Sequence, residues 1–101
     1  MVMEGKTLEE KVMEVFKVVE DPELKIDIWT LGLIYGHTLD PEGNLNVKMT
    51  FTSPGCPYGP MLLSDIEETM LAVGIKSVKF DIVYEPVWQP SDEIKEMLGL
   101  L

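Results

Sequence analysis

The chain has 101 residues, and its eight lysines, with no arginine, face eighteen acids for a formal net charge of −10 at pH 7. At 46% apolar content this is the make-up of one folded domain, not of a disordered acidic tail. The acid excess argues against nucleic-acid partners and anionic membrane surfaces, because both call for clustered cations.

The start, Met1-Val2-Met3-Glu4-Gly5-Lys6, has no basic segment followed by an apolar core and does not read as a secretory signal. No apolar run reaches the roughly 20 residues needed to cross a bilayer, so a reducing cytoplasm is the expected compartment. Thr7-Leu8-Glu9-Glu10 has the spacing of a capping box. Behind it Leu8, Val12, Val15, Phe16 and Val19 form the apolar stripe of an amphipathic helix. Asp21-Pro22 stops that helix, since proline disfavours helical geometry in the residue before it.

Residues 31–40 and 45–52 read as two strands. In the second, Leu45, Val47, Met49 and Phe51 alternate with Asn46, Lys48, Thr50 and Thr52. Asp40-Pro41-Glu42-Gly43-Asn44 carries turn chemistry between them and predicts a β-hairpin. A second helix is expected from Pro60 or Met61 to Val73, with Leu62, Ile66, Met70 and Val73 inward and Gly74 as its left-handed stop. Residues 76–84 alternate as a third strand. Ser91 followed by Asp92 and Glu93 caps a short last helix, whose Ile94, Met97, Leu98 and Leu101 are expected to dock on the body. The order α-β-β-α-β-α predicts an α+β two-layer domain over residues 1–101. Its small mixed sheet should carry helices on one face, with the third strand parallel to the second.

Chemistry is concentrated in Thr50-Phe51-Thr52-Ser53-Pro54-Gly55-Cys56-Pro57-Tyr58-Gly59-Pro60. Three prolines and two glycines make a stiff loop that holds the chain's one thiol, Cys56, a few residues before a helix start. A helix amino end favours the thiolate, which binds metals or attacks electrophiles. The competing reading is a small buried hydrophobe in a structural turn. One cysteine excludes an intrachain disulfide, and a zinc site built from this chain's cysteines alone. Thr50 and Thr52 share the polar face of the strand and could line a surface beside the thiol, but the plainer reading, ordinary β-propensity, comes before it. Asp21 and Glu23, around Pro22, offer oxygen ligands or orienting groups, against the plainer reading of a solvated turn. His37 is the only histidine and pairs on paper with Cys56 as base to nucleophile, without an identifiable third member. Trp88, within Tyr84-Glu85-Pro86-Val87-Trp88-Gln89-Pro90, reads as a plug at the core edge before it reads as a partner anchor.

Taken in order, Asp21-Pro22-Glu23-Leu24, Leu31-Gly32-Leu33-Ile34-Tyr35, Met49-Thr50-Phe51-Thr52-Ser53-Pro54, Gly55-Cys56-Pro57 and Pro86-Val87-Trp88 resemble the PaaD/SufT-like family of iron–sulfur cluster assembly proteins. The resemblance spans about two-thirds of the chain. It implies an α+β domain acting in the maturation of metal–sulfur proteins, with assembly machinery and client apoproteins as partners. It also implies that Cys56 is the key thiol, with Asp21, Glu23, Thr50 and Thr52 as its neighbours. Cys56 is then expected to act as a labile cluster or metal ligand or as a client-docking thiol. No G-x-x-x-x-G-K-[ST] loop is present, so nucleotide hydrolysis is not expected of this chain.

A cluster typically takes four cysteine ligands, and one thiol supplies one. Any iron–sulfur cluster held here is therefore expected to be transient, completed by a second copy in a homodimer, by a client, or by small thiols. The expected role is that of a non-catalytic assembly or carrier factor. The alternatives are an enzyme with Cys56 as nucleophile and His37 or Asp21 as base, and a metal-free adaptor working through aromatic and acidic surface.

Overall fold

In a computed structural model, described here for residues 6–53 and 55–99, the chain forms α1 (Leu8–Val18), β1 (Ile34–Leu39), β2 (Asn44–Met49), α2 (Gly59–Ala72), β3 (Ser77–Ile82) and α3 (Asp92–Met97). This is the expected α-β-β-α-β-α order. The start segment Met1–Gly5, Pro54 and Leu101, each used in the sequence reading, lie outside the described residues.

α1 begins at the expected capping box. The Glu10 backbone N–H donates to Thr7 Oγ1 at 3.1 Å, and the Thr7 backbone N–H donates to Glu10 Oε1 at 3.2 Å. These bonds, the one from the Thr7 backbone first, hold the Glu10 carboxyl below its usual range. Val12, Val15 and Phe16 are fully buried under the helix.

The sheet has the order β1-β2-β3. β1 and β2 are antiparallel, with Leu39 opposite Leu45 and His37 opposite Val47. The turn between them is organised by Asp40, whose Oδ1 accepts the backbone N–H groups of Glu42 and Asn44, both at 2.9 Å. Its other oxygen accepts the Asn44 side-chain amide at 3.0 Å. The bonds from Asn44, backbone first, hold Asp40 below the usual carboxylate range. Gly43 closes the turn at φ +94°.

β3 lies parallel to β2, with Leu45, Val47 and Met49 opposite Val78, Phe80 and Ile82. Leu45, Val47 and Met49 are buried against the helices, whereas Asn46 and Lys48 between them are exposed. The sheet is thus covered on one face and open on the other. α2 buries Leu62, Ile66 and Met70. Gly74 follows it at φ +108°, the left-handed stop expected there.

Three expectations need correction. The first strand starts at Ile34 rather than residue 31, because Leu31-Gly32 closes a turn with Gly32 at φ +77°. The second ends at Met49 rather than residue 52: Met49, Thr50 and Phe51 are all buried in succession, which breaks the period of two. In α3, Ser91 Oγ accepts the Ile94 N–H as expected and Ile94 is buried, but Met97 is exposed. Leu98, just past the helix, is half-buried and packs on the core as expected, so positions 94 and 98 dock the element while 97 faces solvent.

Candidate functional site

The hairpin end of the sheet gathers the β1–β2 turn, the start of α1 and the end of α2, where Leu8 lies against both Gly43 and Gly74. Of the residues the sequence singled out, Asp21, Glu23, Thr50, Thr52, Cys56 and Trp88 lie on segments at the opposite end, where α1 finishes, β2 and β3 run out and α2 begins, whereas His37 lies in the middle of β1. Backbone hydrogen bonds tie these segments in series. Ile28 N–H donates to Val19 O at 2.9 Å, Leu33 N–H to Ile28 O at 3.1 Å, and Thr50 N–H to Leu33 O at 3.0 Å. The Val83 N–H closes the chain of bonds on Met49 O at 2.9 Å.

Cys56 sits in a pair of successive turns. Its N–H donates to Ser53 O at 3.2 Å, and its carbonyl accepts the Gly59 N–H at 3.3 Å. The thiol is free, half-buried and packed against the core. It lies three residues before the first helical residue of α2. That helix has no side-chain cap and no acid in its first turn, so no anion of its own competes for the positive end of its dipole. Gly59 is required here by close approach. A Cβ at this position would fall 3.0 Å from Phe51 Cζ, so the Phe51 ring presses directly on the first residue of α2. The contact locks the end of β2 to the start of the helix on either side of Cys56. Sequence alone gave no sign of it beyond a glycine beside a proline.

Asp21 is only 2% exposed, and its Oδ1 accepts the Glu23 and Leu24 N–H groups at 2.8 and 2.9 Å. It is not a solvated turn residue but the organiser of the turn after α1, through Oδ1 alone. Glu23 beside it is exposed. Thr50 is 1% exposed and its hydroxyl reaches only its neighbour's carbonyl, Phe51 O, at 3.4 Å. It belongs to the packed floor of the loop and does not line an open polar face; Thr52 is half-exposed.

His37 is not poised as a base for the thiol. It lies in the middle of β1, its Nε2 is 2.7 Å from Glu9 Oε1 of α1, and its ring meets Phe16 edge-on at 5.3 Å. Trp88 does what a core-edge plug should: its Nε1–H donates to Leu31 O at 2.7 Å and its ring packs on the core. Tyr35 Oη donates to Pro86 O at 2.8 Å. Together these bonds strap residues 84–90 across the same end of the sheet, leaving Tyr84 and Val87 exposed, the latter at 68%. Tyr58 and Met61, at the start of α2, are exposed as well.

The donor set is sparse. Among the described residues no group of three His, Cys, Asp or Glu side chains could hold a metal ion. An iron–sulfur cluster therefore does not fit this chain as a resident group held by its own side chains. Cys56 is the one soft ligand this chain has to offer such a group. Among the described residues no helix is long and apolar enough to cross a membrane.

The sequence pattern of the family described as iron–sulfur cluster assembly protein matches residues 9–81. An Fe-S protein maturation auxiliary factor of Porphyromonas gingivalis is 35% identical over 97 residues, 92% of each chain. The Fe-S protein maturation auxiliary factor SufT of Staphylococcus aureus is 42% identical over 72 residues, covering 70% of this chain and 82% of that one. Among solved structures, a domain of unknown function from Bacillus anthracis superposes with a TM-score of 0.80 at 32% identity, covering 93% of both chains. With the fold, the ordered blocks at one sheet end and these relatives in agreement, the chain belongs to the iron–sulfur cluster assembly protein family.

Proposed function

We propose that this protein is a non-catalytic factor in the maturation of iron–sulfur proteins, engaging a cluster or a client through Cys56. The observation that carries the reading is the single half-exposed thiol, pinned between the end of β2 and the start of α2, with no set of side chains among the described residues able to enclose a metal. A site with one soft ligand and open coordination binds weakly and releases readily, which suits transfer better than storage. The remaining ligands come from a client apoprotein, from the assembly machinery or from small thiols. The cytoplasm is the compartment we assign to this exchange, since a lone thiol stays reduced there.

The other site residues take graded parts in this proposal. Asp21 and Thr50 act by holding the loops that frame the thiol, through bonds they already make. Glu23 and Thr52, which retain exposure, are the polar side chains left to meet the cargo or its bearer. The reading as a thiol enzyme is weaker, because His37 is committed to Glu9 and Phe16, and Asp21 to the turn it organises.

The test is maturation of a client enzyme by wild type and Cys56→Ser in an anaerobic transfer assay and in cells. Loss of client activity with an unchanged fold is the expected result. Full client maturation by Cys56→Ser contradicts the proposal, and loss on Trp88→Ala with retention on Cys56→Ser favours a metal-free adaptor instead.

A further inference from the structure

The two edges of the sheet are protected unequally. On β1, Ile34 pairs with Met49 but Gly36 with Lys48, so Tyr35 is the extra residue of a bulge, and its hydroxyl is strapped to Pro86. Bulges and covering segments are the usual devices that keep an edge from pairing. β3 has neither. Its six residues, Ser77-Val78-Lys79-Phe80-Asp81-Ile82, hold an unbroken register with β2 and contain no proline or glycine. Among the described residues its backbone bonds to no element other than β2.

We propose that this free edge is a self-docking surface, through which two copies of the chain pair β3 against β3 in antiparallel fashion into one six-stranded sheet. The phase of the backbone supports a particular register. The Val83 N–H points to Met49 O of β2, so residues of that parity face β2. Val78, Phe80 and Ile82 therefore turn their N–H and C=O groups outward, away from β2. An antiparallel pair centred on Phe80 places those three in hydrogen-bonded positions, Phe80 opposite the partner's Phe80 and Val78 opposite the partner's Ile82. Lys79 then falls opposite the partner's Asp81 in the closer, non-hydrogen-bonded positions, and the two-fold axis repeats the pair.

No neighbouring register does as well. A slip of two residues sets Lys79 against the partner's Lys79, or Asp81 against the partner's Asp81. A slip of one sets core-facing side chains against open-face ones. Both charges are available, since the ion pairs among the described residues are Lys6 with Glu14 and His37 with Glu9. Apolar surface is available too: Val78, Phe80 and Ile82 are only half-buried, while Leu45, Val47 and Met49 opposite them on β2 are buried. A second copy is thus the occupant that satisfies hydrogen bonds, apolar surface and charge together.

The pairing bears on the chemistry without depending on it. A two-fold axis normal to the sheet runs the two β2 strands in opposite directions, so the Cys56 loops leave at opposite ends. Such a dimer does not bring its two thiols to one cluster, and the missing ligands come from outside it.

The test is sedimentation equilibrium over a concentration series for wild type, Lys79→Glu, Asp81→Lys and the double swap Lys79→Glu/Asp81→Lys. All the altered side chains are exposed, and thermal melting verifies that each variant folds. Wild type is expected to dimerise, and each single reversal to weaken the dimer by about tenfold, because it converts two attractions into two repulsions. The double swap restores the affinity, and an equimolar mixture of the two single variants forms the mixed dimer. A wild type that stays monomeric throughout overturns the proposal and leaves the edge to another protein's strand or to solvent. So does a dimer indifferent to the reversals.

Discussion

At the hairpin end of the sheet, Asp40, Gly43 and Asn44 close the β1–β2 turn, Thr7 and Glu10 cap α1, and Leu8 fills the space between Gly43 and Gly74. At the other end Asp21, Phe51, Gly59 and Trp88 are just as fully committed to contacts and hydrogen bonds, yet this end also carries a half-exposed thiol and leaves Tyr58, Tyr84 and Val87 in solvent. Both ends are rigid. Only one uses its rigidity to hold reactive and apolar groups where another molecule can reach them, a common division between a scaffold and the loops it positions. Changes at the hairpin end should therefore alter stability alone, and changes at the thiol end should alter stability and client maturation together.

The largest effect that would separate the two ends is expected from Gly59→Val. Its side chain meets a phenyl ring already at the limit of approach, and overpacking of this kind costs about 3 kcal/mol. Urea denaturation measures the loss, and client maturation should fall more than the folded fraction does, because the Cys56 loop shifts with the ring. Asp21→Ala comes next, at about 2 kcal/mol, since two N–H groups of a part-buried turn lose their carboxyl acceptor. If Asp21 acts only on the loop, Asp21→Asn, which keeps an oxygen in place, should recover much of the stability and the maturation activity. Trp88→Phe removes one hydrogen bond to Leu31 O while keeping an aromatic plug, for about 1 kcal/mol, and should loosen the strap as read by amide exchange of residues 84–90.

The smallest effects belong to the hairpin end. Thr7→Ala should cost about 1 kcal/mol or less and leave client maturation untouched. Acid should act there too. Glu10 and Asp40 have folded-state pKa values below their unfolded ones, so the stability they contribute is present above about pH 4 and is lost as pH falls through the folded values. Acid titration of the melting temperature of wild type against Asp40→Asn should show a shallower low-pH decline in the variant.

Much of the fold was legible because it is written in local periods and caps. The capping box at Thr7, the alternation through Leu45, Val47 and Met49, the Asp40 turn and the Gly74 stop each act within a few residues, and each forms where the spacing predicts. The candidate site was legible in its ingredients and not in its geometry. Cys56 in a proline-rich loop could be read, and so could the family blocks, but the burial of Asp21 and Thr50 could not. Asp21 is drawn inward by two backbone amides, and Thr50 by the Leu33 carbonyl, a contact across seventeen residues of sequence. The Phe51–Gly59 contact and the Trp88 bond to Leu31 are likewise products of the assembled sheet end. Long-range contacts of this kind leave no period in the chain, so the burial of Asp21 and Thr50 could not be read from it.

The central claim is that Cys56 supplies one ligand to a cluster completed from outside the chain. Anaerobic reconstitution with iron, sulfide and a small thiol, following visible absorption and native mass together for wild type and Cys56→Ser, tests it most directly. Wild type should form a labile cluster that carries the small thiol in its mass and is lost to a chelator within the experiment, and Cys56→Ser should form none. An equally occupied cluster on Cys56→Ser, or a chelator-resistant cluster held without any added thiol, would contradict it.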